Sequence, residues 1–143
     1  MSLPQGSTKI AREFARAIVR RKWVDVLSLL TASLRATQTV ELLASEFGWG
    51  GLGPRLRQQY ITESGIPEEM VSELDPPKRF EIFEVEDRDA PIGQDATIPF
   101  GWVEVDFQPS EDSEFDRCYN CFLAFVEEDG PKITAYAIED AME

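Results

Sequence analysis

The chain has 143 residues, with 14 Lys and Arg against 27 Asp and Glu, so its formal charge is −13. That length fits one domain over residues 1–143, and a hydrophobic fraction of 43% excludes wholesale disorder. Such an acidic protein is repelled by nucleic-acid phosphates and by anionic lipid, so we expect neither nucleic acid nor a membrane as a partner. The charge is uneven, with nine Lys/Arg and four Asp/Glu in residues 1–60 but five and 23 in residues 61–143.

The first predicted element is an amphipathic helix that is capped by Ser7 or Thr8 and runs to about Lys22, after a frayed segment over residues 1–7. Its apolar residues recur at the helical period on one face. They are Ile10, Phe14, Ala17 and Ile18. Arginines spaced by four on another face form what we call the arginine stripe: Arg12, Arg16 and Arg20. The stripe is typical either of a face that binds an anion or a partner, or of a solvated face that meets the acidic half of the same molecule.

Two more helices are predicted before residue 48. The first runs from Trp23 to Leu34, because its apolar residues form one wide stripe, which is typical of a mostly buried helix. The second spans Gln38 to Phe47, with Thr37 as its capping residue.

Residues 48–54 contain four glycines and a proline and interrupt the helical pattern. A phosphate-binding glycine loop follows a strand and opens a helix, whereas this segment follows a helix, so phosphate binding is not expected here. The segment indicates a surface loop, or a lid whose Trp49 and Leu52 close over a pocket. Short helices are predicted over residues 54–62 and 66–74.

From Lys78 onwards the periodicity changes to that of strands, predicted over residues 79–87, 96–107, 115–126 and 132–138. A slip in the alternation of the first strand indicates a bulge or two covered faces. In the last strand Ile133, Ala135 and Ala137 alternate against the residues between them. Helices followed by a four-strand meander predict an α+β fold, with the N-terminal helices packed in the concave face of a bent antiparallel sheet, cone-like in shape.

The chain contains no histidine, which excludes histidine-dependent nucleophiles, general bases and imidazole zinc sites. Cys118 and Cys121 lie in a predicted strand, where residues three apart point to opposite faces, so we expect two reduced, packed thiols. The acidic clusters lack the spacing of a calcium loop. We therefore expect no metal and no cofactor. Few cysteines, no signal peptide and no long apolar run favour a soluble cytoplasmic protein.

The chain resembles the nuclear transport factor 2-like superfamily, whose fold is a cystatin-like α+β cone. The resemblance rests on a helix over residues 11–22 that passes through Trp23-Val-Asp25 into residues 26–34, on the third helix, and on long kinked strands ending at Tyr136-Ala-Ile-Glu-Asp140. The superfamily includes isomerases, dehydratases, transport adaptors, immunity proteins and ligand-binding modules, so the resemblance implies a fold and leaves the function open. Several of its enzymes use a histidine, so we transfer no catalytic residue.

The first functional hypothesis is a non-enzymatic interaction protein. Acidic sheets and loops speed association with a basic protein partner, as in immunity proteins that neutralise basic toxins. The candidate docking carboxylates share positions in or beside the strands of the acidic half. They are Glu84, Glu86, Asp87, Asp89, Glu111, Asp112, Glu114 and Asp116.

The alternative hypothesis is a cavity inside the cone that binds a small apolar ligand, or that acts as an isomerase or dehydratase without histidine. The candidate wall residues of that pocket are aromatic. They are Trp49, Tyr60, Trp102, Tyr119 and Tyr136. Glu104 and Asp106 alternate with apolar residues and are expected to point to water. Because aromatic residues occur on both faces of the strands, a homodimer through the sheet is also expected.

Overall fold

The computed structural model of the chain describes residues 4–47, 58–59, 61–63, 65, 77–85, 102–109, 111 and 119–140. These residues form four helices, α1 to α4, then helical residues at 58–59 and 61–63 within the predicted helix over residues 54–62, and then four strands, β1 to β4. The predicted α+β order of helices first and an antiparallel sheet second is confirmed. The glycine-rich segment 48–54 and the predicted helix over residues 66–74 lie outside the described residues.

Helix α1 spans Ser7–Val19 and buries the apolar face that the sequence predicts, including Phe14 and Ile18. The predicted cap at Ser7 or Thr8 is wrong, because Gly6 is the N-cap and no side chain caps the helix there. It ends before the predicted Lys22, because Arg21 takes a left-handed backbone conformation with φ 58°. The Lys22 amide then donates to the Ala17 carbonyl at 2.9 Å, which closes a Schellman turn at the helix C-terminus.

The predicted helix from Trp23 to Leu34 is wrong as one element, since the structure divides it into α2, Trp23–Ser28, and α3, Ala32–Arg35. The break has a tertiary cause. The Ile133 amide donates to the Leu29 carbonyl, and the Thr31 amide donates to the Ile133 carbonyl, both at 2.9 Å. These bonds draw the backbone between the helices onto strand β4.

Helix α4 spans Val40–Phe47, so it begins two residues after the predicted start. The Leu42 amide donates to the Thr39 hydroxyl at 3.0 Å, whereas the Thr37 hydroxyl donates to the Leu34 carbonyl. Thr39 therefore caps this helix, and the prediction of Thr37 as its cap is wrong.

The sheet has the strand order β1-β2-β3-β4, with every neighbouring pair antiparallel. The strands are Arg79–Val85, Trp102–Gln108, Tyr119–Glu127 and Pro131–Asp140. The register between β1 and β2 is regular, so the bulge that the sequence indicates in the first strand is absent from the described pair. The irregularity lies between β3 and β4 instead, where Ala124 faces Ala135 but Phe125 faces Ile133.

One face of the sheet, the inner face, joins side chains of α1, α2 and α4 in a single buried cluster. Val105, Cys121 and Leu123 are fully buried on this face. The extra residue in β4, Thr134, changes which residues of that strand reach the cluster: Ile133 is followed by Tyr136 and Ile138 rather than by Ala135 and Ala137. The predicted alternation of the last strand is therefore wrong beyond Ile133.

Candidate functional site

The outer face of the sheet lies opposite the helix cluster and carries the alternate residues of each strand. Its acidic part, which we call the acidic row, runs across three strands. Glu81 of β1 faces Asp106 of β2, and Asp106 faces Asn120 of β3. Glu104 lies two residues from Asp106 on the same face of β2. Three carboxylates thus share one side of the sheet with one amide.

The amide of Asn120 has one partner within the row. Its Nδ2 donates to Glu104 Oε1 at 3.3 Å. Its Oδ1 is buried and accepts no hydrogen bond from any residue that the structure describes. A buried carbonyl oxygen without a donor costs the folded state about 1–3 kcal/mol.

Aromatic residues flank the acidic row. Phe83 lies opposite Glu104 across the β1–β2 pair, and 46% of its surface is exposed. On the other side Trp102 and Phe122 are buried with Ala124, although all three belong to the outer face. The face therefore combines carboxylates with one exposed aromatic side chain close beside them.

The docking carboxylates predicted from sequence are placed differently. Glu84 lies on the helix side of β1 and accepts a hydrogen bond from the Thr8 hydroxyl of α1. Glu111 Oε1 lies 3.7 Å from Arg79 Nη1, an exposed ion pair that stabilises the fold by at most about 1 kcal/mol. The remaining predicted positions are outside the described residues; they are Glu86, Asp87, Asp89, Asp112, Glu114 and Asp116.

The pocket candidates that the structure describes lie on both faces of the sheet. Tyr119 and Tyr136 lie on the inner face, where both rings contact Phe47 at centroid distances of 6.1 and 5.3 Å. Trp102 lies on the opposite face of the sheet. Trp49 and Tyr60 are outside the described residues.

Both tyrosine hydroxyls bind protein oxygen atoms. Tyr119 donates to the Phe47 carbonyl at 2.7 Å, and Tyr136 donates to Gln38 Oε1 at 3.0 Å. Burial, reinforced by the Glu46 carboxylate, raises the pKa of the Tyr136 phenol, with a smaller contribution from Cys121. The phenol is thus a neutral hydrogen-bond donor at physiological pH.

Cys121 is a free, buried thiol on the inner face, as the sequence predicts for a packed cysteine. Burial raises its pKa well above the usual thiol range, and the charge of Glu46 raises it further. A thiol in this state holds its proton and is a poor nucleophile. Cys118 lies outside the described residues.

The acidic row was only partly visible in the sequence. The alternation of Glu104 and Asp106 with Val103, Val105 and Phe107 predicts that the two carboxylates share the outer face. Glu81 alternates with Phe80 and Ile82 in the same way. The pattern does not predict the register that aligns Glu81, Asp106 and Asn120, because the pairing of strands is a tertiary property.

Comparison with known proteins gives no assignment: no family model, no curated protein and no solved structure matches the chain. None of the described helices is long and apolar enough to cross a bilayer. In the described part of the chain, no group of three or more Cys, Asp and Glu side chains is arranged to hold a metal ion.

Proposed function

We propose that this chain is a non-enzymatic binding protein whose outer sheet face docks a basic protein partner. The observation that carries the proposal is the acidic row, in which Glu81, Asp106 and Asn120 occupy facing positions on three neighbouring strands. The paired strands hold these groups at fixed spacing. Binding of a cationic side chain therefore costs this protein little conformational entropy.

The chemistry of the row favours guanidinium as the group it binds. An arginine of the partner supplies planar N–H donors that match the carboxylate oxygens of the row. Phe83, half-exposed beside Glu104, offers an apolar and aromatic surface on which the same side chain stacks.

The close packing of the described inner-face residues supports a binding protein over an enzyme with an enclosed cavity. The Phe47 ring contacts the rings of both Phe14 and Tyr119 beneath the sheet. Each of the three is fully buried. Two titratable groups on this face, Cys121 and Tyr136, have pKa values raised by burial, which suits packing rather than proton transfer at neutral pH.

The finer features of the fold belong to the same proposal. We expect a sheet that bends around the helices as a cone of the nuclear transport factor 2-like kind, because α1 contacts β1, β2 and β4 together. Within that superfamily, an immunity-like role fits an acidic docking face best. A basic partner also suits this face better than a second copy, since an isologous dimer through the row would place like charges together.

The test is calorimetric titration with an arginine-rich peptide at two salt concentrations. We expect the double variant Glu104→Gln/Asp106→Asn to bind about tenfold more weakly than the wild type, because it removes two carboxylates from the row. The matched control, Glu41→Gln/Glu63→Gln, removes the same charge from exposed positions elsewhere. Equal losses in both variants would mean that the peptide senses only net charge, and the proposal would fail.

A further inference from the structure

The basic half of the chain concentrates its charge at one corner of the helices. Residues 9–22 contain six Lys and Arg and one Glu, in a chain whose formal charge is −13. The arginine stripe is exposed on α1, and no ion pair joins it to any residue that the structure describes. Within the described residues, the stripe therefore forms no ion pair with the acidic half of the molecule and is open to solvent.

The turn after α1 brings a further cation to the stripe. The amides of Arg20, Arg21 and Lys22 donate back to the carbonyls of α1, at 3.0, 3.0 and 2.9 Å. Arg21 adopts φ 58°, a conformation that favours glycine. The tight turn reverses the chain so that Lys22 lies near the last turn of α1, next to Arg16 and Arg20.

These side chains line a cleft of about 290 Å³ between α1 and α2. Its cationic residues are Arg16, Arg20 and Lys22, and Leu29 contributes an apolar part of the wall. Glu13 and Asp25 line the same cleft. A ligand that fits this lining has an anionic group for the three cations and hydroxyl groups that donate to the two carboxylates.

We propose that this helix-corner cleft binds a small organic phosphate. The phosphate binds Arg16, Arg20 and Lys22, since guanidinium groups chelate its oxygens. A hydroxylated carbon skeleton occupies the rest of the cleft. The distant acidic face does not prevent binding, because at about 0.1 M salt charges more than about 10 Å apart are largely screened.

A bound dianion also removes a repulsion that the free chain carries. Arginines four residues apart on a helix repel one another, and the stripe contains two such neighbouring pairs. Neutralising Arg16 and Arg20 together stabilises the helix in the bound state. Binding is thus expected to raise the melting temperature as well as to give a titration signal.

The experiment uses ribose 5-phosphate, inorganic phosphate and ribose as probes in 0.1 M NaCl, with binding followed by amide chemical shifts. We expect ribose 5-phosphate to bind most tightly, inorganic phosphate more weakly and ribose not at all. The double variant Arg16→Gln/Arg20→Gln weakens binding of ribose 5-phosphate by about fivefold or more. All substituted side chains are exposed, and circular dichroism checks that the variants fold.

The matched control is Arg12→Gln, which removes a charge from the same stripe but not from the lining of the cleft. Its affinity stays within about twofold of the wild type, since the lost charge contacts no ligand. Absence of ribose 5-phosphate binding, or an equal loss in the Arg12 variant, overturns the site. Equal affinity for inorganic phosphate overturns the assignment of an organic ligand. None of these outcomes depends on the acidic face.

Discussion

Tyr119 links strand β3 to the C-terminal end of α4 through its hydroxyl. The ring is fully buried and contacts Phe47 and Phe107, while the hydroxyl donates to the Phe47 carbonyl at 2.7 Å. The Phe47 carbonyl depends on this donor, because the site is buried and water does not reach it to take the place of the Tyr119 hydroxyl.

Substitution of Tyr119 by Phe should lower the free energy of unfolding by about 1–3 kcal/mol, since it removes a buried donor and leaves the ring in place. Urea denaturation measures the change. Tyr136→Phe is the matched control: its hydroxyl binds Gln38 Oε1, and because both residues are only partly buried, we expect a smaller loss. A larger loss of stability for Tyr136→Phe than for Tyr119→Phe would contradict this account of the inner face.

The buried thiol of Cys121 should make stability depend on alkaline pH. Its pKa is raised in the folded state, so below the ordinary thiol pKa of about 8.5 both states hold the proton and stability is unaffected. As the pH rises further, the unfolded chain releases the proton while the folded chain retains it. Stability then falls by up to about 1.4 kcal/mol per pH unit.

Unfolding measured by urea between pH 8 and 10 tests this dependence. The variant Cys121→Ala is less stable throughout but should lose less stability over this interval, because it lacks the thiol. Tyr136, whose pKa is also raised by burial, adds a further loss only above pH 10. Parallel curves for the wild type and Cys121→Ala would show that the thiol ionises normally in the folded protein.

At the scale of elements, the segment between α2 and α3 shows which structural features the hydrophobic pattern predicts and which it does not. The apolar stripe from Trp23 to Leu34 correctly predicts that Val26 and Leu30 are buried. It does not predict the break, because the Leu29 and Thr31 backbones bond to Ile133, about a hundred residues later in the chain. The register irregularity beside Phe125 escaped prediction for the same reason: both depend on which backbones pair.

Thr31 should be a stabilising cap of the short helix α3. It is 3% exposed, and its hydroxyl accepts from the Leu34 amide at 3.2 Å. Thr31→Ala is expected to cost about 1 kcal/mol of stability. Thr37→Ala removes only an exposed hydroxyl that donates to the Leu34 carbonyl, so it should change stability by less than about 0.5 kcal/mol. Thermal unfolding distinguishes the two, and equal effects would contradict the assignment of the cap.

At the scale of the whole molecule, the acidic row and the arginine stripe lie on different surfaces. The acidic row lies on the outer sheet face, and the arginine stripe lies on α1, whose buried residues join the inner-face cluster. The order of helices and strands and the acidity of the second half could be predicted from sequence. The sequence does not predict that Arg16, Arg20 and Lys22 line one cleft, because that arrangement depends on the left-handed turn at Arg21.

The central claim is that the acidic row, rather than net charge, binds a basic partner. Its most direct test is a titration of ¹⁵N-labelled protein with an arginine-rich peptide, followed residue by residue by amide chemical shifts. The account predicts that the largest shifts occur at Phe83, Glu104 and Asn120 and disappear at high salt. Shifts spread evenly over the acidic residues, or confined to α1, would contradict it.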